Sequence, residues 1–492
     1  MGREHQFLAM DLGAESGRGE VVTLRDGKVT LEEAHRFANR PVRLGGTLYW
    51  DFPYLFAEVC EAMRACAGRG VVLTSVGVDT WGVDFGLLAG DGVLLGNPVH
   101  YRDGRTDGIH KYSDPIMTRR EIYAATGYEP WQISSLFQLL SMQRDGSDLL
   151  KAADTFLNMP DLFNYFLAGE QASELSIANT SNLLGVDCQW SAGIIERFGL
   201  PKVFGNLVAP ATVLGPLAGA VADATGLDDV PVVAVCGHDT SSAVAAVPGE
   251  GDNWAFLSCG TWSILGSLVD RPVATPRAME LGFTNEYTIG GWYLARNILG
   301  LWLVQELRRK WNSSGDPWDY DRLTAAAGQA DPRRWSGLID AADDSLLAPA
   351  DMEEALGALL RRSGQGPPPG RGYLVRCVLE SLALETRRRL ASMSELTARS
   401  GETLYMVGGG TANKLLCQFT ADACGIPVYA GLDQCTAMGN ALGQALAMGI
   451  LKTPQEIRQV MRDSFELTTY QPQDQGRWSD LRERYERLIS GA

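Results

Sequence analysis

Short apolar runs alternating with turn residues open the chain. Phe7–Met10 reads as a strand, Val21, Val22 and Leu24 as a second, and Val29 and Leu31 as a third. Asp26-Gly27 between the last two is a strong hairpin signal. The pattern lengthens to helical spacing over Pro53–Cys66, then returns to a strand at Thr74–Asp79, with a further hairpin at Gly90-Asp91-Gly92. From Met117 to about Gly169 it predicts mostly helix. An Ala/Gly/Pro-rich passage between Pro210 and Pro231 feeds the apolar run Pro231–Val235, a buried strand that turns at Gly237-His238-Asp239-Thr240 into a small-residue helix over Ser241–Ala246. A second set follows Gly251. Trp254–Leu257 and Trp262–Val269 read as strands around the polar loop Ser258-Cys259-Gly260-Thr261, and Ile298–Trp311 as a helix. A long helix from about Tyr373 to Arg399 carries Arg387-Arg388-Arg389 on a solvated face. Leu404–Val407 then delivers Gly408-Gly409-Gly410 to a helix, and Pro427–Tyr429 is the next strand.

The opening hairpin is repeated in outline after residue 250, which predicts two related α/β halves. The expected domains are 1–250 and 251–492, with a polar helical tail from about Leu451 packing on the second. The net charge of −16 disfavours a nucleic-acid or anionic-membrane surface. Nine cysteines, an odd count without paired spacing, read as reduced thiols rather than disulfides or a zinc site. With no run of about 18 apolar residues, the expectation is a cytoplasmic protein.

Two acid-bearing turns carry the chemistry. Asp11, Gly13, Ser16 and Arg18 put a metal-directed carboxylate, pliant backbone, a hydroxyl and a guanidinium close together, the parts phosphoryl transfer uses. The same stretch also reads as an ordinary Gly-rich hairpin, and it is not a P-loop, lacking Gly-Lys-Ser/Thr. Asp239 is either a helix N-cap or a general base. The glycine triplet fits close backbone approach to a nucleotide or a plain tight turn, without the GxGxxG fingerprint. Trp81 reads as core or as the wall of a sugar site. Asn297 and Gln305, eight apart, fall on nearly one helical face.

Together, Asp11-Leu12-Gly13, Val76–Phe85 with its Trp-Gly-Val-Asp-Phe, Tyr101-Arg102-Asp103, Gly237–Thr240, Ser258–Ser263, Asn297–Trp302 and Gly408–Gly410 resemble, in kind and order, the FGGY-type carbohydrate kinases. The resemblance spans about Phe7 to Gly449. It implies two actin-like, ribonuclease-H-like domains with a cleft between them, and ATP-dependent phosphorylation of a ketose at its 1-hydroxyl, with L-rhamnulose the closest fit and rhamnose catabolism the setting. By the same resemblance Ala14, Glu15, Ser16, Gly17 and Arg18 handle the ATP phosphates. Asp11 organises Mg²⁺ through water, and Thr261, Gln305 and Gly409 hold the nucleotide. Gly82, His238, Asp239, Thr240 and Asn297 line the sugar site, with Asp239 as the base. Glu15 departs from the family's small polar residue at that position, so only its backbone N–H is expected to serve ATP. The expected partners are ATP and a small ketose, in a monomer or homodimer, with no nucleic acid or membrane. L-fuculose, L-ribulose or D-xylulose kinases are near alternatives, and an actin-like ATPase or chaperone is an alternative of another class.

Overall fold

The computed structural model describes residues 4–491 except 314 and 316. The opening meander is β1 (His5–Leu12), β2 (Ser16–Arg25) and β3 (Lys28–Ala38), with Asp26 and Gly27 both at positive φ, as a tight primed turn requires. Helix α1 (Phe52–Gly68) starts where Asp51 accepts from the Tyr54 N–H and Pro53 sits in the first turn. Its apolar stripe of Leu55, Val59, Ala62, Met63 and Cys66 is buried. Then come β4 (Leu73–Thr80), β5 (Thr212–Pro216), β6 (Pro231–Ala234) and α2 (Asp239–Ala245). The second set comprises β7 (Trp254–Cys259), β8 (Trp262–Val269), β9 (Thr284–Thr288), β10 (Gly291–Leu299), α3 (Trp302–Ser313), α4 (Arg371–Thr397), β11 (Thr403–Val407), α5 (Lys414–Cys424), β12 (Val428–Leu432), α6 (Cys435–Ala447), α7 (Pro454–Ser464), β13 (Thr468–Tyr470) and α8 (Gln475–Ser490).

Residue contacts divide the chain into two compact units. The first is Met1–Pro248, Val269–Leu294 and Gln434–Ser464; the second is Gly249–Leu268, Ala295–Asp433 and Phe465–Ala492. The first unit's sheet runs β5-β6-β4-β1-β2-β3. In it β1 pairs antiparallel with β2 and parallel with β4, β4 pairs parallel with β6, and β5 closes the edge antiparallel. The second unit repeats this plan as β10-β8-β7-β11-β12-β13, with β7 antiparallel to β8 and parallel to β11, β11 parallel to β12, and β13 antiparallel at the edge. Each unit is thus an α/β layer whose parallel strands are the buried ones.

Several local expectations are corrected. Thr155–Asn158, inside the stretch expected to be helical, is a strand paired with Phe85–Leu88. Asn297 lies on β10 and Gln305 on α3, so the two do not share a helix face. Their separator, Gly300, sits where a Cβ would be 2.6 Å from the Gly260 carbonyl oxygen. The arginine triplet is not wholly solvated. Arg389 is buried and donates to Glu385, which also accepts from Tyr485. The tail divides as well: α7 buries Ile457, Val460 and Met461 and its Ser464 hydroxyl accepts from the Val29 N–H on β3, placing it in the first unit.

Candidate functional site

Parallel strands deliver their C-terminal ends to one edge of a sheet, where α/β proteins hold ligands. In the first unit that edge carries acids. Asp11, next to last on β1, pairs directly beside Asp79 of β4. The turn after β6 is tied to β4 by the Thr80 N–H donating to the Gly237 carbonyl (2.8 Å), and it brings Asp239 to the start of α2. Burial raises the Asp11 carboxyl to about 7, against the pull of Arg18, with Asp239 and Glu20 pushing further up. Asp79 is raised well above the usual range by complete burial and by Asp11, against an Asn440 hydrogen bond of 2.6 Å. Its Oδ1 has no hydrogen-bond partner. Adjacent carboxylates in a dry setting resist joint ionisation, which is a setting that a cation relieves.

Asp239 keeps a third of its side chain exposed. Its Oδ1 accepts from the Thr240 N–H (2.6 Å) and hydroxyl (3.2 Å). No hydrogen bond reaches Oδ2 among the described residues, so one oxygen is anchored and the other is available. The turn itself is fixed by Glu174, which accepts from the Gly237 N–H at 2.8 Å and caps Leu175–Asn179. A Cβ on Gly237 would lie 2.8 Å from Pro160, so glycine is needed for the approach.

The loop between β1 and β2 is pinned by the Gly13 N–H to the Ser16 carbonyl (2.9 Å), and Asn39 bonds to the carbonyls of Gly13 and Glu15. Ala14 is partly exposed, Glu15 and Ser16 are exposed, and Gly17 is buried against Phe37. Arg18, directly opposite Asp11, faces it at 3.4 Å and Glu20 at 3.8 Å. Its charge is therefore shared between carboxylates of its own sheet.

Gly82 and Trp81 belong to a buried frame. Asp84 Oδ2 accepts from the indole N–H groups of Trp50 (2.6 Å) and Trp81 (3.0 Å) and from the Tyr101 N–H, and Oδ1 accepts from Gln138 (2.9 Å). Burial lifts this carboxyl to about 6 in spite of those bonds. Val83 holds φ at 71°, strained for a β-branched residue, and is secured by Thr180 and Ser135. Trp81 is buried against Trp50 at 4.0 Å, so the core role is realised. Replacing Asp84 by alanine strands the indole N–H groups of Trp50 and Trp81 and the Tyr101 N–H, while Gln138 keeps its bonds to the Val83 and Ile133 carbonyls. The expected cost is about 2–3 kcal/mol, read from urea unfolding midpoints.

In the second unit Thr261, Gln305 and Gly409 converge on one cavity of about 370 Å³, shared with Leu301, Tyr320 and Asn413. The Thr261 hydroxyl donates to Gln305 Oε1 at 3.1 Å. Gly410 approaches Cys259 so closely that a Cβ would meet its Sγ at 2.4 Å, while Gly409 faces open space. Asn297, exposed, is also in this unit.

Among the described residues no three His, Cys, Asp or Glu side chains converge as a metal cage. Mg²⁺ asks for less, keeping several waters and taking one or two carboxylates with substrate phosphates, and Asp11 beside the orphaned Asp79 oxygen fits that. Sequence reasoning missed Glu286 and Tyr293, which lie behind His238: Glu286 is 3.1 Å from His238 Nδ1. It also missed Asn440 and Gln444 of α6, which bond to Asp79 and to β1. All four are distant in sequence from the motifs they serve, and no spacing signals them.

Two family models match the chain: the N-terminal domain of the FGGY family of carbohydrate kinases over residues 6–246, and its C-terminal domain over residues 255–448. A rhamnulokinase of Bacteroides thetaiotaomicron is 41% identical over 96% of this chain and 97% of its own. A rhamnulokinase of Oceanobacillus iheyensis is 33% identical over 94% and 97%. Among solved structures, a ligand-bound xylulose kinase from Lactobacillus acidophilus superposes with a TM-score of 0.81 at 15% identity, covering 99% of this chain and 97% of that one. A Plasmodium falciparum glycerol kinase with ADP gives 0.80 at 14% identity, covering 100% and 98%.

Proposed function

The chain belongs to the FGGY family of carbohydrate kinases, and from that premise we propose that it transfers the γ-phosphoryl group of ATP to the 1-hydroxyl of L-rhamnulose. The products are ADP and L-rhamnulose 1-phosphate. The observation that carries the choice of sugar is the end-to-end similarity to proteins named rhamnulokinase, at 41% identity for one of them. What supports the chemistry is Asp239, with Oδ1 anchored on Thr240 and Oδ2 available.

Asp239 takes the proton of the C1 hydroxyl as that oxygen attacks the γ-phosphorus in line. The new P–O bond forms as the bond to the β,γ-bridging oxygen breaks, and ADP leaves with that electron pair. Gly82, His238, Thr240 and Asn297 line the sugar site. Thr261, Gln305 and Gly409 hold the nucleotide, and the backbone of Ala14–Gly17 with Arg18 meets its phosphates. The roles of the first and second domains are thus sugar binding with the base, and ATP binding. Mg²⁺, held by Asp11 through water, supplies charge neutralisation on the phosphates when bound. The exposed Glu15 side chain contributes nothing to that cradle. The setting is the cytoplasm, without nucleic-acid or membrane partners.

ADP release assayed with L-rhamnulose, L-fuculose, L-ribulose and D-xylulose tests the reading. Preference for L-rhamnulose is expected. Preference for another ketose replaces the sugar, and sugar-independent turnover replaces the kinase with an ATPase. In the same assay Gln305→Ala, which removes a cavity wall and the Thr261 bond, is expected to raise the KM for ATP about tenfold, a loss of one to two kcal/mol, with kcat nearly kept.

A further inference from the structure

Behind the Asp239 turn lies a buried polar chain whose inner members, Glu286 and Tyr293, the transfer reaction as described does not use. Strand β9 passes alongside α2, where the Thr288 hydroxyl donates to the Ser241 carbonyl at 2.7 Å. Two residues earlier, Glu286 is 5% exposed. Its Oε2 accepts from the Tyr293 hydroxyl at 2.6 Å and stands 3.1 Å from His238 Nδ1. Tyr293, fully buried, also meets the Ser241 hydroxyl at 3.0 Å. The other ring nitrogen, Nε2, is 3.4 Å from Asp239 Oδ1. The order in space is therefore Tyr293, Glu286, His238, Asp239.

An ionised carboxylate only accepts, so Glu286 requires the proton on Nδ1 of His238. With Nδ1 committed, Nε2 is the atom turned to the base. A neutral ring would set a lone pair against the Asp239 carboxylate, whereas a doubly protonated ring donates to both acids at once. Burial alone would lower the His238 pKa, but the Glu286 hydrogen bond and charge, with Asp239 and Glu174, raise it overall. The ionisable groups facing the ring are Glu286, Asp239 and Glu174; Tyr128 faces Glu286 and Asp239, and Tyr293 faces Glu286.

We propose that Glu286 is a positioning residue for the Asp239 base: paired with Nδ1–H of His238, it holds the ring in its doubly protonated form, so that Nε2–H holds Asp239 Oδ1 and leaves Oδ2 for the substrate hydroxyl. This deepens the kinase reading and rests on it. Glu286 touches no reacting atom. It acts through His238, as outer partners act on the orientation and tautomer of histidines that do.

The test combines kinetics with ring signals of the protein free of substrate. The chain has five histidines, so ¹⁵N-imidazole spectra of wild type, assigned with His238→Asn, isolate the one of interest. In wild type both ring nitrogens of His238 are expected to carry protons at about pH 6, below the ordinary histidine range that Glu286 and Asp239 push upward. In Glu286→Gln its titration midpoint is expected to fall by about one unit. The kcat for the ketose is expected to drop about tenfold, a fraction of a general base's usual effect, with KM for ATP unchanged. Tyr293→Phe, which keeps the Glu286–His238 pair, should leave the ring titration near wild type. Should Glu286→Gln not fold, Glu286→Asp, which withdraws the carboxylate by one carbon, gives the same readout. Unchanged ring titration, or an unchanged kcat, overturns the proposal. A wild type that phosphorylates no ketose sinks the kinase reading instead, while the ring signals still report whether Glu286 governs His238.

Discussion

Asp239→Asn is expected to lower ketose-dependent ADP formation by about 10²–10⁴-fold, the range a positioned general base supplies. The substitution keeps size and lets the side-chain oxygen still accept from Thr240, whose two bonds fix Oδ1. What it removes is the capacity to take a proton on the free oxygen. The loss should therefore appear in kcat, with KM for the ketose changed little. Stability should barely move. A first-turn carboxylate favours a helix by about 0.3–1 kcal/mol, and here that is offset by relief of its repulsion with Asp11 and Asp79. Steady-state kinetics beside a thermal melt separate the two effects. Wild-type turnover in a folded Asp239→Asn protein would remove the base from the mechanism.

Gly439→Ala should give the largest loss of stability, about 3 kcal/mol or more, at or beyond the upper end of ordinary overpacking. A Cβ there would lie 1.8 Å from the Ser242 carbonyl oxygen, and that neighbour is backbone. Neither side has a side chain that can turn aside. Helix α6 must retreat from α2 or push it, and α2 begins with Asp239. Activity should fall together with stability, since a displacement of about 1 Å at a reacting group can cost about 10²-fold. Gly443 on the same helix is the control. Its added Cβ would be 3.0 Å from the Ile289 Cδ1 methyl, which can move, so Gly443→Ala should cost far less. Urea denaturation of the pair measures the difference. Equal effects would mean that the α2–α6 contact is not rigid.

Much of this was legible from local pattern. Asp26-Gly27 fixes its own hairpin because few other pairs adopt positive φ twice in succession. The small residues after Asp239 predict a helix that packs tightly, and the motif order predicts the family. Short apolar runs were less readable. Thr155–Asn158 is four residues long, too short for its period to separate strand from helix. The run through Asn297 is buried for most of its length, so alternation is masked on β10. Charge runs also mislead, since Arg389 is drawn inside by Glu385 one turn earlier.

By itself the sequence singled out the candidate residues: an acid at each of two turns, Asp11 and Asp239, a triple glycine, and small residues following Asp239. Such features depend on side-chain type and near neighbours, which the chain order states outright. Tertiary structure alone decided who supports them. Glu286 stands behind His238, Asn440 answers Asp79, and Gly439 lets α2 lie against α6. These partners are joined through space, by burial that makes each unpaired polar group costly, and separation along the chain carries no trace of that requirement.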